Sequence, residues 1–349
     1  IFPPAAGVKL SVDVIENCAK NLKSWTPLAI CGYHIRDAGA TAAQEIAFAM
    51  ADGMCYIEDA IKRGLNIDDF APSLYFFLAA HIDLLEEVAK FRAARRVWAK
   101  LLKERYGAQN PESQKMKIFI MTMGGALTAE QPLNNVPRVT IETLAAVLGG
   151  VQTIATSSFD EALSIPTEAS VTVALRTQQI LAYETGITGT VDPLGGSYYV
   201  ESLTNKIETE IFNYIEQIEK LGGAIAALEK GFFQKELADA AYTYQKRVDS
   251  GERVVVGVNK FADKKSVKVP LFKVNDEVEQ RQIKKLKDLK AQRDENALKT
   301  SLFKLKSAAQ EGSNLTEPMI EAVSNYATIG EICELLREVY GRYKPPTIF

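Results

Sequence analysis

A repeated pattern constrains this chain most. Apolar segments of strand length end abruptly in glycine, histidine or a carboxylate, and each is followed by a helical stretch. The run Gln152-Thr153-Ile154-Ala155-Thr156-Ser157-Ser158-Phe159-Asp160-Glu161 shows it most fully, passing from apolar to polar and presenting a carboxylate pair at its tip. Three earlier runs share the form. Pro27 to His34 ends in Gly32-Tyr33-His34, Ser73 to His81 ends in a histidine, and Lys117 to Gly125 ends in two glycines. Segments such as Leu28-Ala29-Ile30-Cys31 are apolar on both faces, as a parallel strand is when helices cover one side and a packed interior the other.

The stretches between these runs read as helices. Ser11 to Leu22 has helical apolar spacing, and Thr41 is the expected N-cap of a helix running to about Arg63, with Gly64 just past its end. Ile82 to Tyr106 and Val139 to Leu148 follow the second and third strands, which centre on Ser73 to His81 and Lys117 to Thr122, and Val151 to Ser158 is the fourth strand. After Thr167 the pattern changes, with no further apolar run of strand length before Val254-Val255-Val256-Gly257-Val258. Helices are predicted at Ala169 to Gly186, Leu203 to Leu221, Gly223 to Lys230 and Gln234 to Ser250. The Lys-rich stretch from Asn275 to about Ser307 carries one apolar stripe and predicts an amphipathic helix or pair, and Thr328-Ile329-Gly330-Glu331 has capping-box form before a last helix from Ile332 to Tyr340. Two parts are therefore expected, a strand-and-helix part over 1–170 and a helical extension over 171–349.

Composition removes several functional classes. A chain of 349 residues with 47% hydrophobic content builds a sizeable core, and 41 basic against 44 acidic residues, evenly spread, leave no footprint for nucleic acid. Cys18, Cys31, Cys55 and Cys333 form no CxxC pair, which argues against a zinc site or a disulfide scaffold and fits a reducing cytoplasm. No apolar run approaches the ~20 residues that span a bilayer, and no signal-peptide pattern opens the chain. Because the sequence starts at Ile1 rather than Met, further residues upstream are expected.

Four consecutive parallel βα units imply half of an eight-stranded barrel or an open doubly wound sheet, and both place chemistry at the C-terminal strand ends. Tyr33, His34, Gly125 and Glu161 occupy such ends. No GxGxxG or Walker motif follows a strand, so a dinucleotide or nucleotide-phosphate site has no support.

Several separate motifs carry a resemblance to a known family. They are Cys31-Gly32-Tyr33-His34-Ile35-Arg36-Asp37-Ala38-Gly39-Ala40-Thr41, Asp69-Phe70-Ala71-Pro72, Lys90-Phe91-Arg92-Ala93-Ala94-Arg95-Arg96, Gly149-Gly150-Val151-Gln152, Ser158-Phe159-Asp160-Glu161-Ala162-Leu163 and Asp192-Pro193-Leu194-Gly195-Gly196-Ser197-Tyr198. Together with Gln131-Pro132-Leu133-Asn134-Asn135 and Val256-Gly257-Val258-Asn259, they resemble the large subunit of the methylmalonyl-CoA mutase family over essentially the whole chain. The resemblance implies an α/β fold: the C-terminal half, strands five to eight, of a TIM-type (β/α)8 barrel followed by a mainly helical extension. It implies an adenosylcobalamin-dependent acyl-CoA mutase whose missing barrel half and cobalamin-binding subunit lie elsewhere, because neither His34 nor His81 sits in the family's DxHxxG cobalt-ligating context.

The same resemblance implies roles for particular residues. His34 matches the histidine that hydrogen-bonds the substrate thioester, with Tyr33 beside it divided between site contact and packing. Glu161 matches the glutamate that binds the adenosyl ribose, against the plain alternative of a carboxylate at a helix start. Gln152 matches a glutamine near CoA, and Phe77 an aromatic of the channel or, equally, barrel core. Ser73, Tyr75 and Lys117 stand at CoA-contacting positions with altered residue types, one lysine replacing an arginine that would grip phosphate bidentately. Phe119, Met121, Ala155 and Ser157 replace polar residues where substrate and adenosyl group meet, with Met121 and Ser157 at cofactor-facing positions. Two readings follow from that apolar shift: a mutase for a bulkier or less polar acyl-CoA, or an inactive structural subunit paired with an active mutase. Arg92, Arg95 and Arg96 are expected to make ion pairs or an interface. Four barrel strands leave two unpaired edges, so the chain is expected to need its complementary half or self-association.

Overall fold

The computed structural model describes residues 2–263 and 269–346. In chain order the elements are α1 (Pro4–Asn21), β1 (Ala29–Cys31), α2 (Tyr33–Asp37), α3 (Ala42–Lys62), α4 (Ile67–Phe70), β2 (Tyr75–Ala80), α5 (Leu84–Lys100), α6 (Pro111–Gln114), β3 (Ile118–Thr122), α7 (Asn135–Leu148) and β4 (Thr153–Ala155). Helices follow to the end: α8 (Glu168–Tyr183), α9 (Tyr198–Lys220), α10 (Ala224–Glu229), α11 (Phe232–Asp249), α12 (Asp276–Gln292), α13 (Glu295–Glu311), α14 (Thr316–Ser324) and α15 (Ile329–Tyr340). These residues form two compact units. One contains the chain up to Leu28, Glu58–Leu65 and Lys273–Pro346, and the other contains Ala29–Ile57 and Asn66–Phe272.

The first unit is helical. Its core gathers Leu305, Ala309, Leu315, Ala322, Ile332 and Leu336, with Phe2, Leu10 and Tyr340 packed against it. Buried Asp13 accepts from Lys9 at 2.7 Å, from Arg63 at 2.6 Å and from the Leu315 N–H at 3.0 Å, so one carboxylate joins α1 to the start of α14. Thr328 and Glu331 cap α15 reciprocally, as their spacing predicts.

The second unit holds a parallel sheet in the order β1-β2-β3-β4. Cys31 lies opposite Phe77, Phe77 opposite Phe119, and Phe119 opposite Thr153. One face, with Ile30, Phe76, Leu78, Ile118 and Ile120, is wholly buried under helices, and Trp98 of α5 meets Phe76 edge-on at 4.8 Å. The other face, with Tyr75, Phe77, Phe119 and Met121, is only half-buried. That asymmetry is what a sheet shows when its second covering layer is a side-chain interior. The arginines on α5 pair with α9: Arg92 with Glu201 at 2.5 Å and Arg96 with Glu208 at 2.6 Å.

Three sequence expectations need correction. Tyr33 and His34 do not extend the first strand. The Gly32 N–H makes the last ladder bond to Phe77 O at 2.8 Å, and the Arg36 N–H then bonds Gly32 O at 3.0 Å, so the backbone has turned helical at Tyr33. The fourth strand is three residues rather than Val151 to Ser158, because Ser157 pairs with β3 through side chains: its N–H donates to Thr122 Oγ1 at 2.7 Å and its Oγ to Thr122 O at 2.9 Å. Val254 to Val258 forms no strand and has one bridge, Val256 to Lys260.

Alternate residues of a strand turn their N–H and C=O to the same neighbour. Phe77 faces β1 in this way, and Ala79 is the next residue of that set, but β1 has already ended. Side chains take its place. The Ala79 N–H donates to Glu45 Oε1 at 2.7 Å, and Ala79 O accepts from Lys90 Nζ at 2.7 Å. Lys90 also pairs with Glu45 Oε2 at 2.7 Å and with Glu87, and Arg36 Nη2 lies 3.3 Å from Glu87 Oε1. Two cations and two carboxylates thus sit buried together. Lys90→Met removes one of them and is expected to cost about 3–5 kcal/mol, read as a lower urea midpoint, because it leaves carboxylates buried without their partner.

His81, just past β2, is buried and its Nδ1 accepts from the Ile82 N–H at 2.6 Å. Burial, then the nearby Arg36 charge, pushes its pKa down to about 3. The unfolded chain takes up that proton near pH 6.5 and the folded chain does not, so stability falls as pH drops from about 6.5 towards about 3, by up to ~1.4 kcal/mol per pH unit. His81→Gln is expected to flatten the acid limb of an unfolding free-energy profile over that window.

Candidate functional site

The C-terminal strand ends converge on Gly124. Because α2 starts directly after Gly32, Tyr33 lies at its first turn with its ring buried and stacked on Phe77, centroids 5.0 Å apart and planes 6° from parallel. Phe77 stacks in turn on its cross-strand neighbour Phe119 at 5.0 Å, so three rings cross the half-buried face. His34 is exposed and stands edge-on to Tyr33 at 5.6 Å and to Phe77 at 6.3 Å.

Two side chains of α2 hold the turn after β3. The Gly124 N–H donates to Tyr33 Oη at 3.0 Å and the Gly125 N–H donates to Asp37 Oδ1 at 3.0 Å. Glu161 closes from the β4 side. A methyl group at Gly124 would stand 2.5 Å from Glu161 Oε1 and 3.4 Å from Tyr33 Oη, so only glycine lets the three groups meet. Burial raises the Glu161 pKa, with the Asp37 and Asp160 charges adding to it and the Ser157 hydroxyl opposing it. Burial pushes Tyr33 up to about 12, reinforced by Asp37, Glu161 and Glu142 and opposed by the Gly124 N–H.

Beside Glu161 opens a cavity of about 670 Å³ whose walls include Met121, Ala155, Ser157, Pro166 and Leu175. The carboxylate pair expected at this tip is divided. Asp160 is fully buried and its Oδ2 lies 3.4 Å from the Thr167 N–H that opens α8, leaving Glu161 alone to face the cavity.

Four further residues singled out from the sequence gather at the other end of the sheet. Ser73 Oγ donates to Phe70 O at 2.7 Å just before β2, Tyr75 begins that strand, and Lys117 donates to Pro72 O. Gln152 extends the ladder with its side chain, its Oε1 accepting from the Ile118 N–H at 2.8 Å. Six residues of β2 separate the two groups, roughly 17–20 Å of strand, with Phe77 between them. Sequence reasoning gave no role to Asp37 or Glu142. Asp37 was within reach, since it lies one helical turn beyond Tyr33 on the same face. Glu142, fully buried with neither carboxyl oxygen hydrogen-bonded, has no local signal.

The model of the family described as methylmalonyl-CoA mutase matches residues 1–342. The 2-hydroxyisobutanoyl-CoA mutase large subunit of Aquincola tertiaricarbonis is 44% identical over 351 residues, covering 100% of this chain and 62% of that protein. The methylmalonyl-CoA mutase of Escherichia coli is 40% identical over 348 residues, covering 99% of this chain and 49% of its own length. The mitochondrial methylmalonyl-CoA mutase of Homo sapiens is 39% identical, with 99% and 46% covered. The chain therefore spans about half the length of these relatives.

Glu161→Gln removes one of the charges that raise the Tyr33 phenol. An ultraviolet titration against a Tyr33→Phe control is expected to show the Tyr33 pKa falling below its value of about 12 in the parent chain.

Proposed function

The chain belongs to the methylmalonyl-CoA mutase family, and from that premise we propose that it forms part of an adenosylcobalamin-dependent isomerase that rearranges the carbon skeleton of a branched or methylmalonyl-type acyl-CoA. Residues 1–170 then supply strands five to eight of a TIM-type barrel, and 171–349 supply its helical extension. The observation that carries this reading is the row Tyr33-Phe77-Phe119 with Gly124 and Glu161 at the C-terminal end of four parallel strands, on the face the helices leave half-buried. In this reading CoA runs along the strands from Ser73, Tyr75, Lys117 and Gln152 towards His34. The open edges of β1 and β4 meet a complementary N-terminal barrel half. The name "large subunit" carried by the Aquincola relative supports a separate small subunit, to which this reading gives the cobalamin-binding role in a hetero-oligomer, and the reading places that assembly in the cytoplasm. Among the described residues no helix is long and apolar enough to cross a membrane.

The cavity beside Glu161 fits the adenosyl part of the cofactor. It offers one half-buried carboxylate as acceptor for ribose hydroxyls and the thioether of Met121 as an apolar wall, with Ser157, whose hydroxyl proton is given to Thr122 O, in its lining. When bound, the cofactor supplies reversible one-electron hydrogen abstraction. The protein's own share is positional. His34 donates a hydrogen bond to the thioester carbonyl, Tyr33 fixes the His34 ring and the Gly124 turn, and Phe77, Phe119 and Met121 exclude water from the reacting carbons.

Phe119, Met121 and Ala155 line this face with apolar side chains, which favours a branched, less charged acyl group over a dicarboxylic one. The activity named for the Aquincola relative, on a hydroxylated branched acyl-CoA, supports the same choice. Loss of polar groups at these positions also favours a second reading, an inactive subunit that pairs with an active mutase.

Assembly with the missing barrel half, a cobalamin-binding subunit and adenosylcobalamin separates the two. Turnover is expected with 2-hydroxyisobutyryl-CoA or isobutyryl-CoA and weaker turnover with methylmalonyl-CoA. His34→Ala is expected to lower kcat by about 10²–10³-fold, and Gly124→Ala to weaken cofactor affinity by displacing Glu161. An assembled complex that binds acyl-CoA but turns over none of the three would establish the inactive reading.

A further inference from the structure

A second cavity, of about 400 Å³, lies in the sheet-bearing unit between the residues after β2, the start of α7 and the segment that follows α11. It shares no lining residue with the cavity beside Glu161. Its walls are mainly aliphatic, from Ile82, Pro137, Ile141 and Val254, and two arginines, Arg138 and Arg253, enter it.

Neither arginine is neutralised there. Among the described residues no carboxylate oxygen comes within 4.0 Å of either guanidinium. Arg138 Nη1 donates to Thr128 Oγ1 and Asn135 Oδ1, both at 2.8 Å, and Nη2 to Val256 O at 2.7 Å. All three acceptors are uncharged, and a guanidinium has five N–H donors, so two remain. Burial pulls the Arg138 pKa down and the charge of Glu142, one helical turn further along α7, opposes this without outweighing it, the sign of a cation whose lost hydration is only partly replaced. Arg253 lies over the Tyr244 ring at 4.9 Å from its centroid, which orients the guanidinium without cancelling its charge. The neighbouring cavity, which shares His81, Tyr244 and Arg253 with this one, mixes Asp83, Glu86, Glu236 and Asp239 with Arg36 and Arg247, whereas the cavity beside Arg138 has no acidic residue in its walls, so an anion is favoured in the latter.

We propose that this cavity binds a small organic oxyanion, a carboxylate or a phosphate monoester on a short aliphatic body. Two guanidiniums recognise the oxyanion by paired N–H donors, and the Ile82, Ile141 and Val254 walls take the chain. The volume suits a ligand of this size. The site is separate from the acyl-CoA reading above and stands whether or not that reading does.

Isothermal titration of the purified chain with hexanoate, hexyl phosphate and hexanamide tests it, the two anions distinguishing the carboxylate from the phosphate form. At least one anion is expected to bind saturably at one site in the millimolar range or tighter, and hexanamide is not. Arg253→Met is expected to weaken the anion about tenfold or more, as does Ile141→Trp, which fills the void and keeps both guanidiniums. Far-UV circular dichroism establishes that each variant is folded. The site does not exist if neither anion binds, if hexanamide binds equally well, or if both folded variants bind as the parent does.

Discussion

The grip of Glu45 and Lys90 on the backbone of Ala79 is the contact on which the rest of the sheet end depends. A parallel strand normally finishes where its neighbours finish, since an unpaired N–H and C=O in a dry interior are costly. Here β2 runs past β1 because two buried side chains accept and donate in place of a backbone. That substitution frees the chain after Cys31 to turn at once into α2. Without it, Tyr33, His34 and Asp37 would continue an extended strand, and no two of them would project as one helical turn does. Arg36, inside α2, reaches back to Glu87 of the same buried group, so the helix that carries the site side chains is anchored to the charges that made room for it.

The candidate site is accordingly a set of short reaches from different elements. Tyr33 and Asp37 come from α2, Gly124 and Gly125 from the turn after β3, and Glu161 from the loop after β4. None of the three is held by a long regular element, and each is fixed by the others across the glycine pair. A site of this kind is stiff only when all three strand ends are in register, and the row Cys31-Phe77-Phe119-Thr153 across the four strands sets that register.

Much of this was legible in the sequence. The four apolar runs, their parallel order and the helices between them follow from period and punctuation, as do the N-cap at Thr41 and the capping box of Thr328 with Glu331, while the return bond from Gln44 to the Thr41 N–H is visible only in the structure. What escaped was decided by side chains acting as backbone. Nothing local shows that Glu45 and Lys90, 45 residues apart, stand in for a strand, so the first strand ends sooner than its apolar run suggests. Ser157 likewise replaces ladder bonds of β4 through Thr122, and the fourth strand is shorter than its apolar run suggests for the same reason. Asp160 and Glu161 look alike in sequence, and only the position of Thr167 sends the first inward and leaves the second facing the cavity.

Asp13 has a consequence for how the chain responds to being cut. Its carboxylate takes hydrogen bonds from Lys9 and Arg63 and from the backbone at Leu315, so α1, the end of α3 and α14 share one buried acceptor. The first helix and the last four therefore belong to one cooperative body although the whole sheet lies between them in sequence. A protease nick in the stretch between α11 and α12 breaks the covalent path and leaves this non-covalent one intact. The carboxyl-terminal piece would stay clasped to the amino-terminal helix, and the lesion would show on a denaturing gel well before it showed in the size of the native particle.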